Sequence, residues 1–94
     1  MEKMPEVTEC LMENCAYNDE KQCRAIAITV GGGDCPLCDT AFASDKKGGV
    51  LTNTGAVGAC KVADCMFNDM FQCTASGVRI TMHEQHAECG TYKV

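Results

Sequence analysis

The stretch CLMENCAYNDEKQCRA, residues 10–25, recurs fifty positions later as CKVADCMFNDMFQCTA, residues 60–75. Both stretches place an Asn-Asp pair, Asn18-Asp19 and Asn68-Asp69, between their second and third cysteines. Similarity at a fixed offset is typical of tandem copies of one structural unit. The cysteines correspond position by position: Cys10, Cys15 and Cys23 match Cys60, Cys65 and Cys73.

A fourth cysteine closes each copy, Cys38 in the first and Cys89 in the second. Each is followed by a threonine two positions later and then by an aromatic residue, Phe42 or Tyr92. Each copy therefore reads C-x4-C-x7-C-x14/15-C. The segment between the copies is rich in Gly, Ser, Thr, Asn and Lys, which is typical of a linker or surface loop. We predict an N-terminal four-cysteine module at 1–42, a linker or surface loop at 43–57 and a C-terminal module at 58–94.

The composition indicates that the fold needs a cross-link. The chain has 94 residues, five of them aromatic and none of them tryptophan, and it has nine cysteines. Chains this short rarely bury enough apolar surface to fold without disulfides or a metal. The acidic N-terminal fifteen residues lack the apolar core of a signal peptide. We therefore expect a cytoplasmic protein, in which thiols stay reduced and bind metal rather than form disulfides.

Four thiolates in each copy suit a structural zinc ion, because such sites are tetrahedral and filled entirely by cysteine or histidine. Two-disulfide knots are the main alternative, and ligation of an iron–sulfur cluster by four thiolates is another. The odd number of cysteines leaves one unpaired in any monomer that is fully disulfide-bonded. We predict two Zn²⁺ ions per chain, one held by Cys10, Cys15, Cys23 and Cys38, and the other by Cys60, Cys65, Cys73 and Cys89.

The predicted fold class is a small metal-stabilised protein made of two irregular, β-rich, zinc-knuckle-like modules in tandem, with little helix. The Asn-Asp pairs predict a turn between the second and third cysteines, because these side chains bond to nearby backbone. Ile26, Ile28 and Val30 alternate with other residues, which predicts a strand with one buried face. Residues 78–82 alternate in the same way. Residues 31–33 are all glycine and are expected to end the first strand.

Both copies resemble the bacterial cysteine-rich family catalogued as domain of unknown function 1540. The resemblance implies a small zinc-associated bacterial protein without an assigned activity, some members being linked with sporulating organisms. Two positions depart from the pattern: Ala41 lengthens the closing motif, and Cys35 has Gln85 as its counterpart. In the first copy the resemblance rests on Cys10, Cys15, Tyr17-Asn18, Cys23, Ala25, Cys38, Thr40 and Phe42. In the second it rests on Cys60, Cys65, Phe67-Asn68, Cys73, Ala75, Cys89, Thr91 and Tyr92.

Three groups of residues allow more than one interpretation. Cys35 forms a C-x-x-C with Cys38, a redox spacing that needs a βαβ setting, so Cys35 is a spare thiol, an alternative fourth ligand or a redox group. His83 and His86 belong to a polar loop, form a second metal site or replace one cysteine ligand. An apolar group found in the second copy belongs to the core or to a surface for self-association: Met66, Met70 and Phe71.

Charge and chemistry narrow the function. The net charge is −5 and the longest basic run is Lys46-Lys47, so we expect no nucleic-acid partner. No apolar stretch is long enough to cross a membrane. A zinc ion with four protein ligands has no open position for water, so we do not expect an enzyme. We predict a zinc-binding structural or interaction protein with an unknown protein partner, and a homo-oligomer is an open possibility. The alternatives are a metal buffer and a thiol redox switch that releases zinc on oxidation.

Overall fold

The computed structural model describes residues 4–31 and 35–94, and these residues form short β-strands joined by turns. Their strands are β1 (Val7–Cys10), β2 (Asn18–Asp19), β3 (Gln22–Cys23), β4 (Ile28–Gly31), β5 (Leu37–Cys38), β6 (Val57–Cys60), β7 (Asn68–Asp69), β8 (Gln72–Cys73), β9 (Val78–His83) and β10 (His86–Cys89). No helix occurs in the described ranges, and therefore none long and apolar enough to cross a membrane. The predicted β-rich class with little helix is confirmed, and its stabilisation by metal stays a prediction.

A two-residue hairpin follows the second cysteine of each copy: β2 pairs with β3, and β7 pairs with β8. The turn residues Glu20 and Lys21 have φ of 52° and 67°, both in the left-handed region, as the two central residues of a tight hairpin turn require. The Asn18 amide nitrogen donates to the Cys10 carbonyl at 2.9 Å, and its oxygen accepts from the Lys21 N–H at 3.0 Å. Asn68 makes the equivalent pair of bonds in the second copy. The predicted turn is confirmed, with the asparagine tying it to the preceding strand.

The remaining strands form a six-stranded sheet in the order β1-β9-β10-β5-β4-β6. Each copy contributes its first strand to the other copy. β1 lies parallel to β9, with Cys10 beside Ile80, and β6 lies parallel to β4, with Cys60 beside Val30. The antiparallel pair β5 and β10 joins the halves at the centre. If each strand is replaced by its counterpart in the other copy, the same order is obtained, read from the opposite edge. The strand order is therefore symmetric about the central pair.

The two edge strands also meet at their beginnings. Glu6 and Ala56, which occupy the same position in their copies, form an antiparallel bridge. The Val7 N–H donates to the Gly55 carbonyl at 2.7 Å, and the Val57 N–H donates to the Pro5 carbonyl at 2.9 Å. Backbone hydrogen bonds therefore join the two copies both at the centre of the sheet and at the beginnings of its two edge strands. The division into modules 1–42 and 58–94 stays a prediction.

The hydrophobic core is small and aliphatic. Its largest fully buried side chains are Val7 of β1, its counterpart Val57 of β6, and Val78 and Ile80 of β9. The radius of gyration is 12.1 Å, close to the roughly 12 Å expected of a compact chain of this length. The molecule measures 34 × 32 × 15 Å, so it is a flat disc with cysteines packed against the core.

The strand predicted for residues 24–30 is shorter than expected. β4 begins at Ile28, and Ile26 is 71 % exposed instead of sharing the buried face of Ile28 and Val30. Residues 24 and 25 bond to the segment between the copies: Asn53 donates its side-chain amide to the Ala25 carbonyl at 2.7 Å. These hydrogen bonds take the place of the bonds to a neighbouring strand that a longer β4 would need. The predicted break at residues 31–33 falls partly outside the described residues, since Gly31 ends β4 and residues 32–33 are not described.

Candidate metal centres

The four cysteines predicted as the first ligand set line one cavity. Cys10, Cys15, Cys23 and Cys38 surround a space of about 10 Å³, and Ile80 from the second copy completes its wall. That volume is about what a single water-sized sphere occupies. The structure thus brings together thiols that are up to 28 positions apart in the sequence around a space of atomic size.

The second predicted set has the same arrangement. Cys60, Cys65, Cys73 and Cys89 line another cavity of about 10 Å³, and Val30 from the first copy lies in its wall. Val30 and Ile80 are repeat counterparts, and each is the strand partner of the other copy's first cysteine. Each cavity is therefore lined mainly by one copy, with an aliphatic residue of the other copy in its wall.

Strand ends and hairpins position the thiols. Cys10 ends β1, Cys23 ends β3 and Cys38 ends β5, so three separate segments meet at the first cavity. Cys15 lies in a turn in which its N–H donates to the Met12 carbonyl at 3.0 Å. The second copy places its cysteines at the ends of β6, β8 and β10 and in the matching turn.

The electrostatic surroundings of the thiols have two opposing parts. Burial raises the pKa of the Cys38 thiol to about 11, and hydrogen bonds from the backbone of Thr40 and Ala41 oppose that rise. Burial raises the pKa of Cys89 in the same way, against the backbone of Thr91 and Tyr92. Burial favours the neutral thiol, whereas N–H groups directed at sulfur stabilise a thiolate. A bound cation would tip this balance toward the thiolate, because it is the largest charge in such a site.

The remaining raised thiols follow the same pattern. Burial raises the pKa of Cys10, Cys23 and Cys73, and a backbone hydrogen bond two residues further on opposes it in each case. The neighbouring cysteines of the same cavity add a smaller upward effect through charge repulsion. This repulsion arises only between groups that lie close together, so it agrees with the shared cavities.

The fit to a metal ion is good in donor chemistry and incomplete in side-chain arrangement. A set of four cysteine sulfur atoms is a ligand set typical of structural zinc, and backbone N–H groups near the sulfur atoms can stabilise thiolates. Yet no group of three or more His, Cys, Asp or Glu side chains within residues 4–31 and 35–94 is arranged so that it could hold a metal ion. All nine cysteines are free thiols. The two zinc ions accordingly stay a prediction.

The other candidate ligands lie apart from both cavities. Cys35 is half-buried and lines neither of them. His83 and His86 are exposed and face each other across the β9–β10 hairpin, as its closing pair. None of the three joins a cysteine set.

Aromatic residues flank both cavities. Tyr17 lines the first, and its ring meets that of Phe42 edge to face, with centroids 5.8 Å apart. Phe67 and Tyr92 line the second, and the Tyr92 hydroxyl donates to Asp64 at 3.0 Å. The sequence did not indicate the aliphatic residue that each copy contributes to the other copy's cavity.

Comparison with known proteins gives one match. A family model described as Domain of Unknown Function (DUF1540) matches residues 8–48 and 59–92. These two segments correspond to the two sequence copies, and together they cover most of the chain. No curated protein and no solved structure matches the chain.

Proposed function

The chain is a tandem-repeat member of the DUF1540 family, and from this premise we propose that it is a zinc-binding structural or interaction protein with one closed four-cysteine site per repeat. The observation that carries the proposal is the cavity in each copy. In both, four cysteines and no other predicted ligand surround a space of about 10 Å³. The same arrangement arises twice in one chain, which argues that it is a property of the repeat and not an accident of packing.

Zinc is the metal that best suits these donors. Soft thiolates select zinc, copper(I) and iron–sulfur clusters, and a cavity the size of one water molecule suits a single ion better than a cluster. Backbone N–H groups directed at the cysteines would hold the thiolates once their protons leave, as the outer shell does in other thiolate sites. Cys10, Cys15, Cys23 and Cys38 would hold one ion, and the matching set in the second copy would hold the other.

Such sites would act on the fold and not on a substrate. Four protein ligands leave no position for water, so a closed site cannot activate a nucleophile. Its binding energy of about 10–16 kcal/mol in small zinc peptides doubles as folding energy. A small aliphatic core of the kind seen in this sheet depends on a contribution of that kind. The proposal also requires a reducing compartment, such as the bacterial cytoplasm, to keep all thiols free.

Site-directed variants with metal analysis test the proposal. Native mass spectrometry of protein purified under reducing conditions should show two zinc ions per chain. Cys38→Ser and Cys89→Ser should each lower the count to one, whereas Cys35→Ser, which alters a thiol outside both cavities, should keep two. Loss of zinc in the Cys35 variant, or none in the other two, would refute the assignment. More than two metal ions per chain would favour metal buffering instead.

A further inference from the structure

The segment between the repeats covers one face of the first copy. Its residues 44–55 run along the β2–β3 hairpin and the residues after it. Four backbone N–H groups donate to carbonyls of that copy: Ser44 to Asn14 at 3.0 Å, Gly48 to Ala16 at 2.8 Å, Val50 to Arg24 at 2.9 Å and Gly55 to Cys23 at 2.7 Å. Gly49 has a φ of 89°, and a Cβ there would lie 2.4 Å from the Arg24 carbonyl oxygen. Glycine is therefore what permits this close approach.

Side chains reinforce the seating of this segment. Lys47 donates its ammonium to the carbonyl oxygens of Cys15 at 2.9 Å and Glu13 at 3.2 Å. Asn53 donates to the Ala25 carbonyl, and its own carbonyl accepts from the Arg24 guanidinium at 3.1 Å. This irregular segment, through its backbone and one of its two lysines, thus satisfies a series of carbonyls at the edge of the first cysteine site.

The equivalent face of the second copy has no such cover among the described residues. Ala16 is 3 % exposed, whereas its counterpart Met66 is 59 % exposed. Ala25 is buried, whereas its counterpart Ala75 is only half-buried. No loop N–H in the described part of the chain donates to the carbonyls of Met66, Cys73 or Thr74. Pro5 occupies the position that corresponds to Gly55, and it has no N–H to donate.

This uncovered face has room and charge for a ligand. A cavity of about 280 Å³ lies between Met4 and Pro5 on one side and Asp69 and residues 72–75 on the other. In the first copy, Asp19 lies 3.6 Å from Arg24, but threonine occupies the corresponding position 74. Within residues 4–31 and 35–94, neither Asp64 nor Asp69 forms an ion pair with Lys or Arg. The face combines unfilled carbonyls with two carboxylates.

We propose that the face formed by residues 64–75 with Met4 and Pro5 binds a lysine-containing loop segment of a partner protein. The segment lies on the second copy as residues 44–55 lie on the first. Its backbone N–H groups donate to the carbonyls of Met66, Cys73 and Thr74, and its lysine lies near Asp64 and the Cys65 carbonyl. A glycine beside the lysine allows the same close approach.

A peptide with the sequence of residues 43–56 is the probe, because its chemistry is that of the segment already seated on the first copy. The peptide is titrated into isotopically labelled protein, and backbone amide shifts are followed by NMR. We expect saturable changes in residues 64–75. Asp69→Lys and Ala75→Arg should weaken binding about ten-fold, because both place a cation against a basic segment. Gln85→Arg adds a positive charge at the exposed β9–β10 turn and should bind as the unmodified protein does.

Several results would overturn the proposal. One is the absence of saturable binding both by the full chain and by a variant lacking Glu2 and Lys3. Changes centred on residues 14–25 would mean exchange with the chain's own linker. Changes in residues 64–75 that depend on protein concentration without peptide would mean that a second copy occupies the face. Equal affinity of the Asp69→Lys and Gln85→Arg variants would also contradict it. Zinc content is measured on the same samples, so failed docking with two ions bound leaves the proposed zinc function intact.

Discussion

Replacing Ile80 by valine is expected to weaken the metal site of the copy to which Ile80 does not belong. Ile80 is 2 % exposed, pairs with Cys10 across β9 and β1, and lines the first cavity. Removing one buried methylene from such a side chain costs about 0.5–1.5 kcal/mol. If the whole cost destabilises the metal-bound form of the first site, the metal affinity of that site falls by roughly two- to twelve-fold. The second cavity, which Ile80 does not line, should keep its affinity.

Cadmium NMR separates the two sites, since each loaded site gives its own resonance. The first-copy resonance is identified by its loss in Cys38→Ser. A competing chelator is then titrated into the Ile80→Val protein, and we expect that resonance to disappear first. Val30→Ala is the mirror variant and should affect the second-copy resonance. Ile26→Val makes the same chemical change at a residue that is 71 % exposed and lines neither cysteine cavity, so it should leave both sites unaltered.

Two results would refute this reasoning. Selective weakening of the second site by Ile80→Val would mean that each copy closes its own cavity. Equal weakening of both sites would mean that the substitution acts through overall stability. In either case the exchange of first strands between copies would not govern metal binding.

Three further predictions concern the turns and thiols. Asn18→Ala leaves a buried carbonyl without its donor and should lower the free energy of unfolding by about 1–3 kcal/mol in urea titrations, with a smaller loss for the less buried Asn68→Ala. Gly55→Ala would place a Cβ 2.5 Å from a first-site sulfur and should abolish one zinc ion in metal analysis, whereas Gly48→Ala, whose Cβ has 3.7 Å of clearance, should keep both. Burial raises the pKa of Cys38 from 9.0 to about 11, so the metal-free fold binds this proton more tightly than the unfolded chain does. The Tm of the chelator-treated protein should therefore fall as the pH is raised from 9 to 11. A Tm that stays constant over this range would contradict the prediction.

The local features of the fold were predictable because they depend on residues close in sequence. The repeat of four cysteines identified the two sets that share cavities. Asn18 and Asn68 predicted turns because an asparagine side chain can bond to nearby backbone. The alternation of Val78 and Ile80 identified the interior of β9. In each case one short segment carries the whole signal.

The exchange of strands between copies was not predictable from the same patterns. Cys10 and Cys60 occupy equivalent positions, and so do Val30 and Ile80. A first strand could therefore pair within its own copy or with the other copy without changing any local pattern. Only the three-dimensional pairing distinguishes these arrangements. Ile26 was misplaced for a related reason, since the hydrogen bonds of its segment go to Asn53, a residue distant in sequence.

We expect the arrangement of the four sulfur atoms in each cavity to depend on the proposed ion. Burial favours neutral thiols, which have no strong attraction for one another. The four sulfur atoms of each cavity are drawn to a common point only when a cation replaces their protons. The sequence identified which cysteines belong together, and the structure places them around common cavities. We propose that each shared cavity is a metal site.

X-ray absorption at the zinc edge of protein purified under reducing conditions tests that claim most directly. We predict a single coordination shell of four sulfur atoms at about 2.3 Å, averaged over two equivalent ions per chain. Nitrogen or oxygen ligands in that shell would mean that histidine or water binds the zinc. That result would contradict the assignment of four cysteine ligands to each site. A protein that carries no zinc and contains disulfides would contradict the proposed function as a whole.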